Sequence, residues 1–252
     1  MKLESNGCCG SWSTPVIAVL GLVLLGAGPA LSAPLLGVDF GTSTPSPVET
    51  GFQGFGASTG GSTGPLTATY TGLDTAQSSG SVALTLATGN TLAGTGTLTA
   101  RDRTGNSTLV DQGSFTYAEL YRDVINSNNS ALSLGLSGLN PNTTYTVKFF
   151  IYDDLATKTI TFTDFTSGAA GTSGSVSFAA GYQFSSSTSN DQFATLLTVT
   201  SDIAGKLVFR SSTSSSPAQI GGMLIQVAPE PTSLGLSALG LVALGRRRIK
   251  RQ

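Results

Sequence analysis

The residues of this chain that could do chemistry are its carboxylates. Among its 252 residues there is no His, and its two cysteines, Cys8 and Cys9, lie side by side near the N-terminus. Ser-His-Asp and Cys-His arrangements are therefore excluded, as is a zinc site of the usual ligand type in the body of the chain. Paired carboxylates could serve a glycoside hydrolase, which needs two acids several ångströms apart across a sugar. Glu49 and Glu119 are the only glutamates between the two ends, and Asp123, Asp153 and Asp154 complete the set to inspect. None of them sits in a recognisable glycosidase motif.

A hard cation is the other use for such acids. Calcium takes six to eight oxygens from loop carboxylates and carbonyls, and Asp39, Asp153, Asp154 and Asp164 are the candidates. There is no EF-hand spacing, and the plain alternative is surface charge and turn formation. Gly56-Ala57-Ser58-Thr59-Gly60 matches G-x-S-x-G. A nucleophile elbow needs a strand before the serine and a helix after it, whereas this match falls in a Gly, Ser and Thr-rich loop. Sugar binding without catalysis would need exposed rings, and Tyr117, Tyr121, Tyr152 and Tyr182 are the main candidates, with Tyr70 and Phe150 beside them. The expectation is a protein that is not an enzyme, with a carbohydrate-binding module as one alternative and a carboxylate-dependent glycosidase as the other.

The elements that must position these residues read as strands. Short alternating apolar runs recur between Gly, Ser, Thr and Asn turn residues, an all-β pattern. Expected strands cover 36–40, 66–71, 81–87, 96–100, 107–111, 131–137, 144–152, 158–163, 175–179, 193–200, 206–210 and 220–227. Thr144 to Tyr152 is the clearest, with Tyr145, Val147, Phe149 and Ile151 on one face and Thr146 and Lys148 on the other. Leu120 and Val124, four apart, suggest a helix over 117–125, with a strand as the competing reading. About a dozen strands without regular helices between them imply antiparallel sheets packed face to face, a jelly-roll-like β-sandwich.

Asn140-Pro141-Asn142-Thr143-Thr144-Tyr145 reads as a turn entering a strand, with Tyr145 as a sheet-corner tyrosine; with the preceding Leu139 its spacing resembles that of fibronectin type III modules. Val38-Asp39-Phe40-Gly41, residues 115–124 and the 144–152 strand together look similar to malectin-like and galactose-binding-like sandwiches of exported bacterial proteins. That resemblance implies a sandwich fold.

The two ends are of different composition. Lys2, an apolar run from Val16 to Gly26 and the small residues after it read as a signal peptide over 1–32, with a cut after Ser32 fitting better than one before Pro34 and a cut after Ala30 as the alternative. The body, 33–227, then has neither Cys nor Trp, so no disulfide can form there. Setting aside Lys2, Glu4, Glu230 and the five basic residues of the tail leaves 7 basic and 12 acidic residues, a net charge near -5. A mildly acidic body argues against nucleic acid as a partner.

At the C-terminus, Pro229-Glu230-Pro231 is followed by an apolar segment over 232–245 and then by Arg246, Arg247, Arg248, Lys250 and Arg251. As a helix, that segment would reach only about 20 Å, against a hydrocarbon core of about 30 Å. It is a poor permanent anchor and suits a transient stop, with the basic cluster held on the cytoplasmic face. The two prolines keep the triplet extended and accessible. A plain single-span anchor is the competing reading. In this order the three parts resemble the PEP-CTERM sorting signal, here spanning 228–252. The resemblance implies an exported cell-surface or extracellular-matrix protein, with signal peptidase and an exosortase as processing partners, transient contact with the inner membrane, and extracellular polysaccharide as a candidate neighbour.

Overall fold

A computed structural model describes residues 33–42, 47–102 and 109–229. The 1–32 leader, Glu230, Pro231, the apolar segment and the basic cluster Arg246, Arg247, Arg248, Lys250 and Arg251 lie outside the described residues. Three mainly antiparallel sheets account for most of what is described. The first has the order β12 (Ala194–Thr200), β9 (Thr144–Phe150), β15 (Gly222–Val227), β1 (Leu36–Thr42) and β2 (Gln53–Ala57). The second runs β11 (Ser173–Phe178), β10 (Lys158–Asp164), β13 (Leu207–Thr213), β8 (Ala131–Leu139), β5 (Ser78–Thr88) and β4 (Leu66–Thr71).

These two sheets pack as a β-sandwich because period-2 alternation gives each an apolar face. From the first sheet come Val38, Phe40, Tyr145, Val147, Phe149, Met223 and Ile225, all fully buried. From the second come Val82, Leu84, Leu86, Leu134, Leu136, Ile160, Phe162 and Phe209. Phe149 joins the layers: its ring stacks on Phe162 at 4.3 Å and meets Phe209 edge-on at 5.1 Å. Tyr145 fixes the corner below it, donating its hydroxyl to Gln77 O at 2.6 Å and accepting from Asn140 N at 2.9 Å. The turn before it needs a left-handed residue, and Asn142, with φ 51°, supplies it.

A five-residue helix, α1 (Ala118–Arg122), leads into β7 (Asp123–Ser127) of a third sheet, whose order is β14 (Gln219–Ile220), β7, β6 (Thr97–Asp102) and β3 (Ser62–Thr63). Together they approach the first sheet closely at two glycines. A Cβ on Gly41 would lie 2.5 Å from Asp123 Oδ2, and one on Gly222 would lie 2.6 Å from Leu120 Cδ1. Side chains there would hold α1 and β7 off β1 and β15.

Three expectations need correction. The β1–β2 pair is parallel, with Val38 opposite Gln53 and Phe40 opposite Phe55, so the sheets are not wholly antiparallel. The expected 117–125 helix stops at Arg122, because Val124 and Ile125 pair with β6 instead and β-branched residues favour that extended state. Residues 109–111 of the expected 107–111 strand join no strand; the local pairing is an isolated bridge between Gln112 and Phe115.

Candidate functional site

The four tyrosines proposed to stack on sugar belong to a packed aromatic cluster. Tyr121 and Tyr152 are each 1% exposed. Tyr121 lies against Phe115 at 5.8 Å and Phe150 at 6.2 Å, and its hydroxyl donates to Asn190 O. Tyr152 stacks on Phe193 at 4.9 Å and meets Phe184 at 5.2 Å. With their faces taken by protein rings, neither offers a face to a sugar. Tyr117 and Tyr182 are half-buried, and both meet their neighbours edge-on: Tyr117 with Phe52 and Phe150, Tyr182 with Phe184 and Phe193. Tyr70 and Phe150 are buried too. Alternation along β9 could not reveal this, because Phe150 lies on the outer face of its sheet and is covered by residues far away in sequence.

The acids separate into two kinds. Asp39 and Glu49 come together with Asp123 beneath α1, and all three are buried. Asp39 Oδ2 accepts Glu49 N at 2.8 Å, while its Oδ1 has no hydrogen-bond partner. Burial pushes the Asp39 carboxyl up to about 7, with the neighbouring charges of Asp123, Glu49 and Glu119 adding to the rise and the Glu49 N–H opposing it. Burial likewise raises Glu49, against the N–H groups of Leu120 and Thr50. Glu49 and Asp111 accept Leu120 N and Ala118 N in the first turn of α1, whose own N-cap residue, Tyr117, provides no side-chain cap. These carboxylates thus do the work of a helix cap. Glu119 is paired with Arg122. Asp39, a calcium candidate by sequence, and Glu49, a candidate catalytic acid, meet without any spacing signal that links them.

The remaining acids hold turns. Asp153 Oδ1 accepts Leu155 N and its Oδ2 accepts Gln219 Nε2 at 2.7 Å. Asp154 accepts the Tyr152 hydroxyl at 3.0 Å, and Asp164 accepts Thr166 N at 2.9 Å. Asp39, Asp153, Asp154 and Asp164 therefore occupy different surroundings, and among the described residues no three His, Cys, Asp or Glu side chains are arranged to hold a metal ion. Ser58 of the G-x-S-x-G match sits in a turn, its hydroxyl accepting Gly60 N, and β3 rather than a helix follows it.

The end of the body is firmly placed. β15 lies between β9 and β1 inside its sheet. Gln77 ties both ends of the body together: its Nε2 donates to Ala33 O and its Oε1 accepts Val227 N at 3.1 Å. Ala228 N makes a last bond to Thr144 O at 2.9 Å, and Pro229 is exposed immediately after it. Residues 227–251 match the family model described as the PEP-CTERM protein-sorting motif. The chain carries a PEP-CTERM sorting signal. A PEP-CTERM signal marks a protein for export and sorting to the cell surface or extracellular matrix, so this chain is an exported, sorted protein.

No curated protein matches the chain. Among solved structures, Bacteroides uniformis beta-glucuronidase is similar at 11% identity and a TM-score of 0.32, over 56% of this chain and 15% of that one. TmCBM61 in complex with beta-1,4-galactotriose is similar at 14% identity and a TM-score of 0.26, over 52% and 78%. The bacteriophage CBA120 tailspike protein 4 enzymatically active domain is similar at 15% identity and a TM-score of 0.27, over 57% and 18%. Nothing about function follows from likenesses this weak.

Proposed function

We propose that this PEP-CTERM protein is a non-enzymatic structural or interaction protein of the surface or matrix, with the sandwich as cargo and the tail as an exosortase substrate. Signal peptidase would release the leader near residue 32, and the apolar 232–245 segment would dwell in the inner membrane until processing near Pro229 to Pro231. The observation that carries this reading is the sorting motif joining the central strand β15 without a linker. The cargo is complete where the signal begins, so removal of the tail would cost the body no strand.

Support for the non-enzymatic part comes from the acids, whose oxygens hold backbone N–H groups in turns and at α1. Crossovers that set β1 beside β15 and β8 between β13 and β5 support a jelly-roll-like wiring. Replacing Pro229, Glu230 and Pro231 together with Ala, and then fractionating cells, tests the sorting part. The variant should stay with the membrane while the parent is found outside; equal delivery of both would overturn it. Glycan hydrolysis that is abolished by Glu49→Gln would overturn the non-enzymatic part.

A further inference from the structure

The sandwich has an open cleft of about 440 Å³, lined mainly by Thr and Asp residues, at the edge where β12 and β9 face the β10–β11 turn. This volume lies within the range of sites that hold small ligands, roughly 300–1,000 Å³. Thr144, Thr198 and Thr200 contribute one wall, and the Thr144 and Thr200 hydroxyls are 3.1 Å apart. Asp164 and Thr166 contribute the other, and Asp202 follows β12 at the rim.

Each carboxylate is oriented through one oxygen. Asp164 Oδ1 accepts Thr166 N, and Asp202 Oδ1 accepts both Ala204 N and Lys206 N at 2.8 Å. A carboxylate has two acceptor oxygens, so the Oδ2 atoms remain to receive hydroxyl or ammonium protons. Gly171 lies close to one of them: a Cβ there would sit 3.1 Å from Asp164 Oδ2. Thr166 is fixed as well: its hydroxyl oxygen accepts Val208 N at 3.0 Å, which leaves its proton to donate elsewhere. No Lys or Arg lines the cleft.

From this chemistry we infer that the cleft binds a hydroxyl-rich glycan chain that carries no acid groups. Oriented carboxylates accept sugar hydroxyls in charge-assisted hydrogen bonds, the threonines supply donors and methyl contacts, and two negative charges without a cation repel uronates. The site is separate from the tyrosine cluster. It deepens the surface reading by naming what the delivered body would hold, and it rests on that reading only for the kind of polymer it would meet.

The test is titration of the exported protein, purified, with galactan, xylan and chitosan oligomers, using oligogalacturonate as the acidic counter-probe. Saturable binding to at least one of the first three is expected, with oligogalacturonate at least tenfold weaker. Asp164→Asn removes the charge and Gly171→Val covers the carboxylate, and each should weaken binding at least tenfold with an unchanged melting temperature. The inference fails if none of the three oligomers binds, if the acidic probe binds as well as the others, or if neither well-folded variant loses binding. Failure here would leave the sorting reading standing, because delivery is measured in cells and not by titration.

Discussion

Neutralising Asp39 should make the body more stable at alkaline pH. In the unfolded chain this carboxyl ionises near 3.8, and in the fold burial holds it protonated up to about 7. Between those values the folded state binds the extra proton, so stability falls as pH rises through the window. About three decades at about 1.4 kcal/mol each set an upper limit of about 4 kcal/mol, fully expressed only above pH 7. The groups facing Asp39 are Asp123, Glu49 and Glu119; Glu49 is itself raised by burial and contributes in the same direction. Asp39→Asn keeps an acceptor for Glu49 N and cannot ionise. Urea unfolding from pH 4 to 8.5 should show the parent losing a few kcal/mol across the range, while the variant loses clearly less, with only the Glu49 share remaining, and is more stable at pH 8. A parent curve that is flat or rises over this range, or a variant equally destabilised at pH 4 and pH 8, would refute the placement of Asp39 as a buried acid.

Tyr145→Phe removes the donor to Gln77 O and the acceptor for Asn140 N. A loss of about 1–3 kcal/mol is expected in denaturant unfolding; no loss would mean that the corner is not held by this hydroxyl. Phe149→Ala opens a cavity where Phe162 and Phe209 meet between the layers. It should cost about 3–5 kcal/mol, read from the urea midpoint, and a cost below about 1 kcal/mol would contradict the face-to-face packing.

Local pattern made the clearest strands legible. Leu66 to Thr71 forms β4 as expected, and the alternation from Thr144 onward forms β9 as far as Phe150. Pro141 and Asn142 announced the turn that presents Tyr145. By contrast, Gln53-Gly54-Phe55-Gly56-Ala57 is short and glycine-rich, and becomes β2 by lying parallel to β1. Leu120 and Val124 gave a helical spacing that pairing with β6 overrode after Arg122. The buried meeting of Asp39, Glu49 and Asp123 depends on residues up to 84 positions apart, and so left no trace in local spacing. The sorting tail was legible for the opposite reason: its triplet, apolar run and basic cluster are contiguous.

On the proposed function, the tail delivers the body and is then removed. Intact-mass measurement of the protein recovered from the cell surface or medium tests it most directly. The expected mass lacks both the leader up to about residue 32 and the segment from Leu234 to Gln252, whereas a membrane-fraction protein retaining Leu234 to Gln252 would contradict removal of the tail.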